Sequence, residues 1–227
     1  MQDLISFYQN RIKEHAAGLS NVKKLLAGSS TLRLLVFVAS IFFGYLFFEN
    51  TKLVIAIALV GIAAFLYLVS RHTDLQYQRD KLMALKTINE NEIEVLNRNF
   101  HELPEGNEFK NPEHHFSQDI DLFGKGSFYQ YSNRTALKHG SETLAELFTE
   151  NAIENIAQKQ EAIKELSKMP EWRQEFSAVA SLVKTQTTTA TIQKWLENYS
   201  PFVPAMMKYL PMAFSIISIL SFVLYFF

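Results

Sequence analysis

The chain has 227 residues, 22 basic and 23 acidic side chains, a formal net charge of −1 and no cysteine. That balance supplies no general basic field for nucleic acid, and the missing thiols exclude a disulfide framework and any thiolate metal site. Its 48% hydrophobic fraction averages over very unequal parts and leaves room for one modest domain beside a membrane part.

Every element read from the pattern is helical, so the expected class is all-α. Residues 1–30 form an amphipathic N-terminal helix. Ile5, Ile12, Leu19 and Leu26 recur every seven residues, and Tyr8, His15 and Val22 follow three positions behind the first three. That is an a/d seam, which Gly18 weakens by about 1 kcal/mol relative to alanine. A helix lying on lipid, with its lysines on the wet side, fits the same residues; the seam is preferred because a second striped helix follows.

Residues 31–70 hold two uncharged apolar runs, Leu34–Phe48 and Leu53–Val69, separated by Glu49-Asn50-Thr51-Lys52. Each is close to the roughly 17 residues that set the short limit for crossing a hydrocarbon core of about 30 Å. A transmembrane hairpin is expected. A buried hairpin in a soluble core is the alternative, but such helices usually keep a polar stripe. A cleaved signal peptide does not fit, because the apolar run starts late and a second follows at once. Lys23, Lys24 and Arg33 precede the hairpin and Arg71, Arg79 and Lys81 follow it. Both flanks, the N-terminus and residues 71–200, are therefore expected in the cytoplasm.

Residues 71–101 carry a stripe of Leu75, Leu82, Leu85, Ile88, Leu96 and Phe100, interrupted by Asn89 and Glu92. This stalk helix is expected to run antiparallel to the first and bury its stripe there, as a coiled-coil-like extension of the hairpin. Residues 102–126 read as a loop broken by Pro104, Gly106 and Pro112. His114 and His115 are adjacent, so they share no helix face and give no ligand spacing; a solvated loop is expected there. Lys125 between Gly124 and Gly126 is not a phosphate loop, because Ser or Thr does not follow the lysine directly and Asp119 holds the earlier glycine position.

From Ser127 to Ser200 the chain reads as short helices. Phe128-Tyr129-Gln130-Tyr131 opens one and Asn133-Arg134-Thr135 punctuates it as a turn. Core packing is preferred over base stacking for the aromatics. Leu137, Leu144, Leu147 and Phe148 mark the next face. Asn151 with Glu154 resembles a helix-start box, and Ile153, Ile156, Ile163 and Leu166 make a stripe. Pro170 fits a first turn, and Trp172, Phe176, Val179 and Val183 are the expected buried face behind it. Thr185–Thr191 is ambiguous, and Trp195 and Leu196 belong to a last short helix. After Pro201, Pro204 and Pro211 no charge occurs from Met212 to Phe227. Residues 201–227 are a third expected transmembrane segment, with Lys208 and Tyr209 at its interface, and the chain is expected to be the front part of a longer protein.

Ser127–Phe148, SFYQYSNRTALKHGSETLAELF, together with Ile156–Leu166 and Pro170-Glu171-Trp172-Arg173, resembles the core region of the MutS family of mismatch-repair ATPases. Asn133-Arg134-Thr135 looks like that family's Asp/Asn-Arg-Thr turn. Gln160-Glu161 is similar to its Arg-Gln-Glu helix, with Lys159 in the arginine position, and Pro170 opens its Pro-Glu-x-Arg block. Asp119–Gly124 and the flanking apolar helices look like the family's membrane-anchored branch in bacteria. The resemblance implies a scaffold or transmission element in the bacterial inner membrane, not catalytic by itself. It also implies an ATPase domain, with its ATP and Mg, after Phe227, DNA contact only through the longer protein, and a homodimer. A helical membrane adaptor without nucleotide or DNA chemistry is the competing expectation. No catalytic, cofactor-binding or metal-ligating residue and no small-molecule substrate is indicated; Asn133, Arg134, Thr135, Gln160, Glu161 and Pro170 are structural motif positions.

Overall fold

A computed structural model describes residues 2–150, 152–183, 189–199, 207 and 209–226. Among them the chain forms eight α-helices and no strand. It divides into two compact units, Met1–Leu35 with Leu66–Val183, and Val36–Phe65 with Lys184–Phe227.

Helix α1 spans Gln2–Leu46 and α2 spans Thr51–Leu96, each without a break at residue 30 or 70. Hydroxyls near those positions bond back into their own helix: Thr31 Oγ1 donates to the Ala27 carbonyl at 3.2 Å, Ser40 Oγ to Val36 at 2.8 Å and Thr73 Oγ1 to Val69 at 3.2 Å. The turn between the helices lies at Phe47–Asn50, and Asn50 Oδ1 accepts from Leu53 N at 3.2 Å as the cap of α2. Both helices are long and apolar enough to cross a membrane. Their apolar runs lie open to the surroundings, with Leu35, Phe42, Val60 and Leu66 all more than half exposed.

In the unit of Val36–Phe65 and Lys184–Phe227, α1 and α2 meet where Gly61 faces Ser40, and a Cβ on Gly61 would collide with Ser40 Oγ. Small residues at a helix–helix contact let backbones approach closely. The last two helices belong to this unit: α7, Thr189–Glu197, contains Trp195 and Leu196, and α8 spans Leu210–Phe226. At 17 residues α8 is about 25 Å long. Tyr225 near its end lines the same shallow recess as Glu49, Asn50, Thr51 and Lys52. Asn151, Lys184–Thr188, Pro201, Pro204 and Lys208 lie outside the described residues.

In the other unit, α1 and α2 run antiparallel. A Cβ on Gly18 would rest 3.4 Å from Leu82 Cδ1, and Tyr8 sits in the field of Glu92. His15 and Val22 of α1, and Leu75, Leu85, Asn89 and Val95 of α2, are buried. The stalk helix stops at Leu96, short of residue 101. Arg98 takes a left-handed φ of 63°, Arg98 N donates to Val95 O at 2.9 Å and Asn99 N to Glu94 O at 2.8 Å. That pair of bonds is a Schellman stop, here with arginine in the position glycine usually fills.

Residues 102–126 are loop in backbone and mostly exposed, as expected, but their apolar side chains are packed. Phe109, Phe116, Leu122 and Phe123 pack with Tyr129 of α3 (Phe128–Ser132) and with Leu144, Ala145 and Phe148 of α4 (Lys138–Thr149). Leu137 and Leu147, expected on the α4 core face, stay exposed. His114 is also structural: Nδ1 accepts from Ser117 N at 3.2 Å, and Nε2 lies 3.2 Å from the Thr149 carbonyl at the end of α4. Gly106 has φ of 69°, and a Cβ there would lie 2.6 Å from the Tyr129 ring. Only glycine meets both conditions without strain.

Helix α5 begins at Ile156, not beside Asn151, and Asn155 precedes it with a left-handed φ of 58°. Its stripe of Ile156, Ile163 and Leu166 is exposed, as is Ile153 ahead of it. Helix α6, Pro170–Ser181, starts on its proline as expected. Its buried residues are Gln174, Ala178 and Ala180. The expected inner face is turned outward: Trp172 is 52% and Phe176 61% exposed, their rings stacked at 5.5 Å. Polar bonds made by Gln174 decide which side of α6 faces in.

Candidate functional site

A cleft of about 410 Å³ lies between α2, the Leu103-Pro104 corner, the Asn133–Ala136 turn and α6. Its construction starts with α3. Ser127 Oγ accepts from Gln130 N at 3.1 Å and caps that short helix. The fully buried Gln130 then fixes the loop around it. Its Nε2 donates to the carbonyls of His101 at 3.0 Å and Leu103 at 2.6 Å, and its Oε1 accepts from Gly126 N at 2.8 Å. The Gly-Lys-Gly stretch is thus held by a side-chain amide as part of a helix entry.

The turn after α3 holds itself. Asn133 Oδ1 accepts from Thr135 N at 2.9 Å and from Thr135 Oγ1 at 2.7 Å, an asparagine turn. Arg134 reaches in two directions. Its Nη1 donates to the carbonyls of Tyr131 at 2.9 Å and Asn133 at 2.8 Å, and its Nε to Glu92 Oε1 at 2.7 Å. One guanidinium therefore ties the end of α3 to the C-terminal end of α2.

The third wall is α6. Gln174 Nε2 donates to Asn89 Oδ1 at 2.9 Å, Asn89 Nδ2 donates back to Gln174 Oε1 at 3.1 Å and also to the Leu85 carbonyl at 2.7 Å. Both amides are buried, so this reciprocal pair satisfies groups that would otherwise cost about 1–3 kcal/mol each. Lys81 pairs with Glu175 on the same helix, and Arg11 of α1 pairs with Glu171 at 3.4 Å. Helix α6 is thereby fastened to both long helices.

Burial and the Glu92 carboxylate push the Tyr8 hydroxyl above its ordinary pKa, against the pull of Arg173 and Arg134. Burial and the neighbouring Arg11 hold His15 below its ordinary 6.5, against Glu14 and Glu175. Burial also raises Tyr129, whose hydroxyl donates to Ser141 O at 3.2 Å.

Of the motif positions, the structure brings Asn133, Arg134 and Thr135 into the cleft wall. Gln160 and Glu161 lie exposed on α5, and Pro170 opens α6. Sequence reasoning missed Asn89, Glu92, Gln130 and Gln174. A signal existed for the first two: they were the interruptions in the α2 stripe. Among the described residues no group of three or more His, Cys, Asp or Glu converges as a metal site. The arrangement cross-links three elements, α2, α6 and the turn after α3, through polar bonds. Comparison with family models, with curated proteins and with solved structures returns no match for this chain.

Proposed function

We propose that the chain is the membrane-anchored N-terminal portion of a MutS-like, ATP-dependent protein, in which it serves as scaffold and transmission element and performs no chemistry itself. The observation that carries this is the cross-link in the cleft. Helix α2 contains an apolar run fit to cross a bilayer, and further along it is tied to α6 by Asn89–Gln174 and to the Asn133–Thr135 turn by Glu92–Arg134. A push on either partner is delivered to a helix that continues into the apolar run. The stalk acts as an antiparallel coiled coil, which the close approach of Gly18 and Leu82 supports.

In this reading the basic residues flanking the hairpin hold both long flanks in the cytoplasm of a bacterial inner membrane. ATP and Mg belong to an ATPase domain beyond these residues, DNA is met only through that longer protein, and the chain pairs as a homodimer. The reading frame after Phe227 tests the proposal. A Walker A glycine-lysine motif within a few hundred codons supports it, and a stop codon directly after Phe227 overturns it.

A second reading, a helical membrane adaptor, is favoured by the open Trp172–Phe176 stack and the exposed α5 stripe, which suit a protein partner better than solvent. Salt titration of DNA binding by the whole chain in detergent bears on both readings. Neither expects tight, salt-sensitive binding from a chain at −1.

A further inference from the structure

We infer that α7 is an interfacial helix, lying in the headgroup–acyl boundary of a bilayer with its axis in the membrane plane; this rests on the reading of the apolar helices as membrane-spanning. Ile192, Trp195, Leu196 and Tyr199 follow the i, i+3, i+4, i+7 spacing that gathers side chains on one face of a helix. All four are exposed, Trp195 and Leu196 at 60% and 63%. The opposite face carries Gln193, Lys194, Glu197 and Asn198 and satisfies itself. Gln193 Nε2 donates to Glu197 Oε1 at 3.2 Å and Asn198 Nδ2 to Lys194 O at 2.7 Å.

The occupant of the apolar face follows from three observations. Helix α7 has 9 residues, about 13 Å, so it cannot cross a hydrocarbon core of about 30 Å. It is tethered to α8, an apolar 17-residue helix in the same unit, by residues 198–209, which reach at most about 40 Å when fully extended. Its apolar face also includes an aromatic pair, Trp195 and Tyr199 at 5.1 Å between ring centroids. With Tyr209 at the start of α8, these are the residue types that gather at the membrane–water boundary, where an apolar ring and a polar tip are both accommodated. A lipid surface meets the whole face at once, and an anchored α8 keeps α7 within its reach.

The test uses the full chain carrying Trp172→Phe, which leaves Trp195 as its single tryptophan, reconstituted into phosphatidylcholine–phosphatidylglycerol vesicles. Bromine is placed on the lipid either close to the glycerol end or at the tip of the acyl chain. The expected result is blue-shifted Trp195 emission, quenched more by the shallow bromine than by the deep one and little by aqueous acrylamide. Adding Leu196→Asp should shift the emission to the red and abolish bromine quenching while the protein still floats with the vesicles. Quenching by acrylamide alone would mean that α7 stands in water, and protection from every quencher would mean that protein covers it; either overturns the inference. Failure to float with vesicles would overturn the membrane reading itself, an outcome distinct from floating with Trp195 unquenched by lipid.

Discussion

Two neighbouring stretches spend their large apolar side chains in opposite ways. Residues 97–149 are largely irregular in backbone, yet they bury Leu122, Phe123 and Tyr129 in a sealed cluster. Residues 153–183 are mostly regular helix, yet they leave Ile163, Trp172 and Phe176 open and bury Gln174 and Ala178 instead. Helical periodicity tells which side chains share a face. It does not tell which face is turned inward, and in α6 that is decided by a reciprocal amide pair with α2.

The sealed cluster should break most sharply at Gly106. A valine there must adopt φ near 69° and push the Tyr129 ring aside. The backbone term alone is roughly 1–3 kcal/mol, and displacing a ring that is 1% exposed adds to it. Gly106→Val should lower the denaturation midpoint of the whole chain in detergent and collapse its near-ultraviolet dichroism. Retention of both would show that the cluster is not closed on Gly106.

The α2–α6 attachment should break next. Asn89→Ala removes both bonds to Gln174 and the bond to Leu85 O, at an expected cost of about 1–3 kcal/mol. Gln174→Ala should cost a similar amount, and the double variant less than the sum of the two, because each single change strands a buried amide. Strict additivity in the double-mutant cycle would sink the pairing.

These two sites also mark how far the sequence could be read. The hairpin, the antiparallel stalk, the proline start of α6 and the Asn133–Thr135 turn follow from local chemistry: charge-free runs, heptad spacing, a missing N–H and an asparagine carboxamide reaching two residues on. The cleft did not, because its cross-links join residues far apart in the chain. Asn89 and Gln174 are 85 positions apart, Arg134 and Glu92 42. A polar residue within an apolar stripe looks like a flaw until its partner is known. In α2 both flaws, Asn89 and Glu92, are the attachment points. The folded loop escaped for the opposite reason: Phe109, Phe116 and Phe123 have no period, so nothing local announced that they converge.

A smaller, pH-dependent effect should come from α1. His15 is buried between the long helices, and its folded pKa lies below 6.5, first through burial and then through Arg11, with Glu14 and Glu175 opposing. The unfolded chain therefore takes up the proton first on acidification. The stability from neutral His15 is fully present above about 6.5 and is lost as pH falls below it. His15→Phe should flatten that acid limb of a thermal-melt profile while leaving the neutral midpoint nearly unchanged. An acid limb identical to wild type would assign the loss to other groups.

The smallest change is expected on the open face of α6, where it sharpens the contrast most. Trp172→Ser with Phe176→Ser removes a stacked aromatic pair whose members are already more than half exposed, so little of the surface it covers belongs to the core. Exposed substitutions of this kind usually stay within about 0.5 kcal/mol of wild type, so the melting temperature of the isolated chain should hardly move. The same variant in Gly106→Val-type fashion, with loss of several kcal/mol, would require the pair to be buried. Periodicity would then have been right about α6, and the amide pair would not be what orients it.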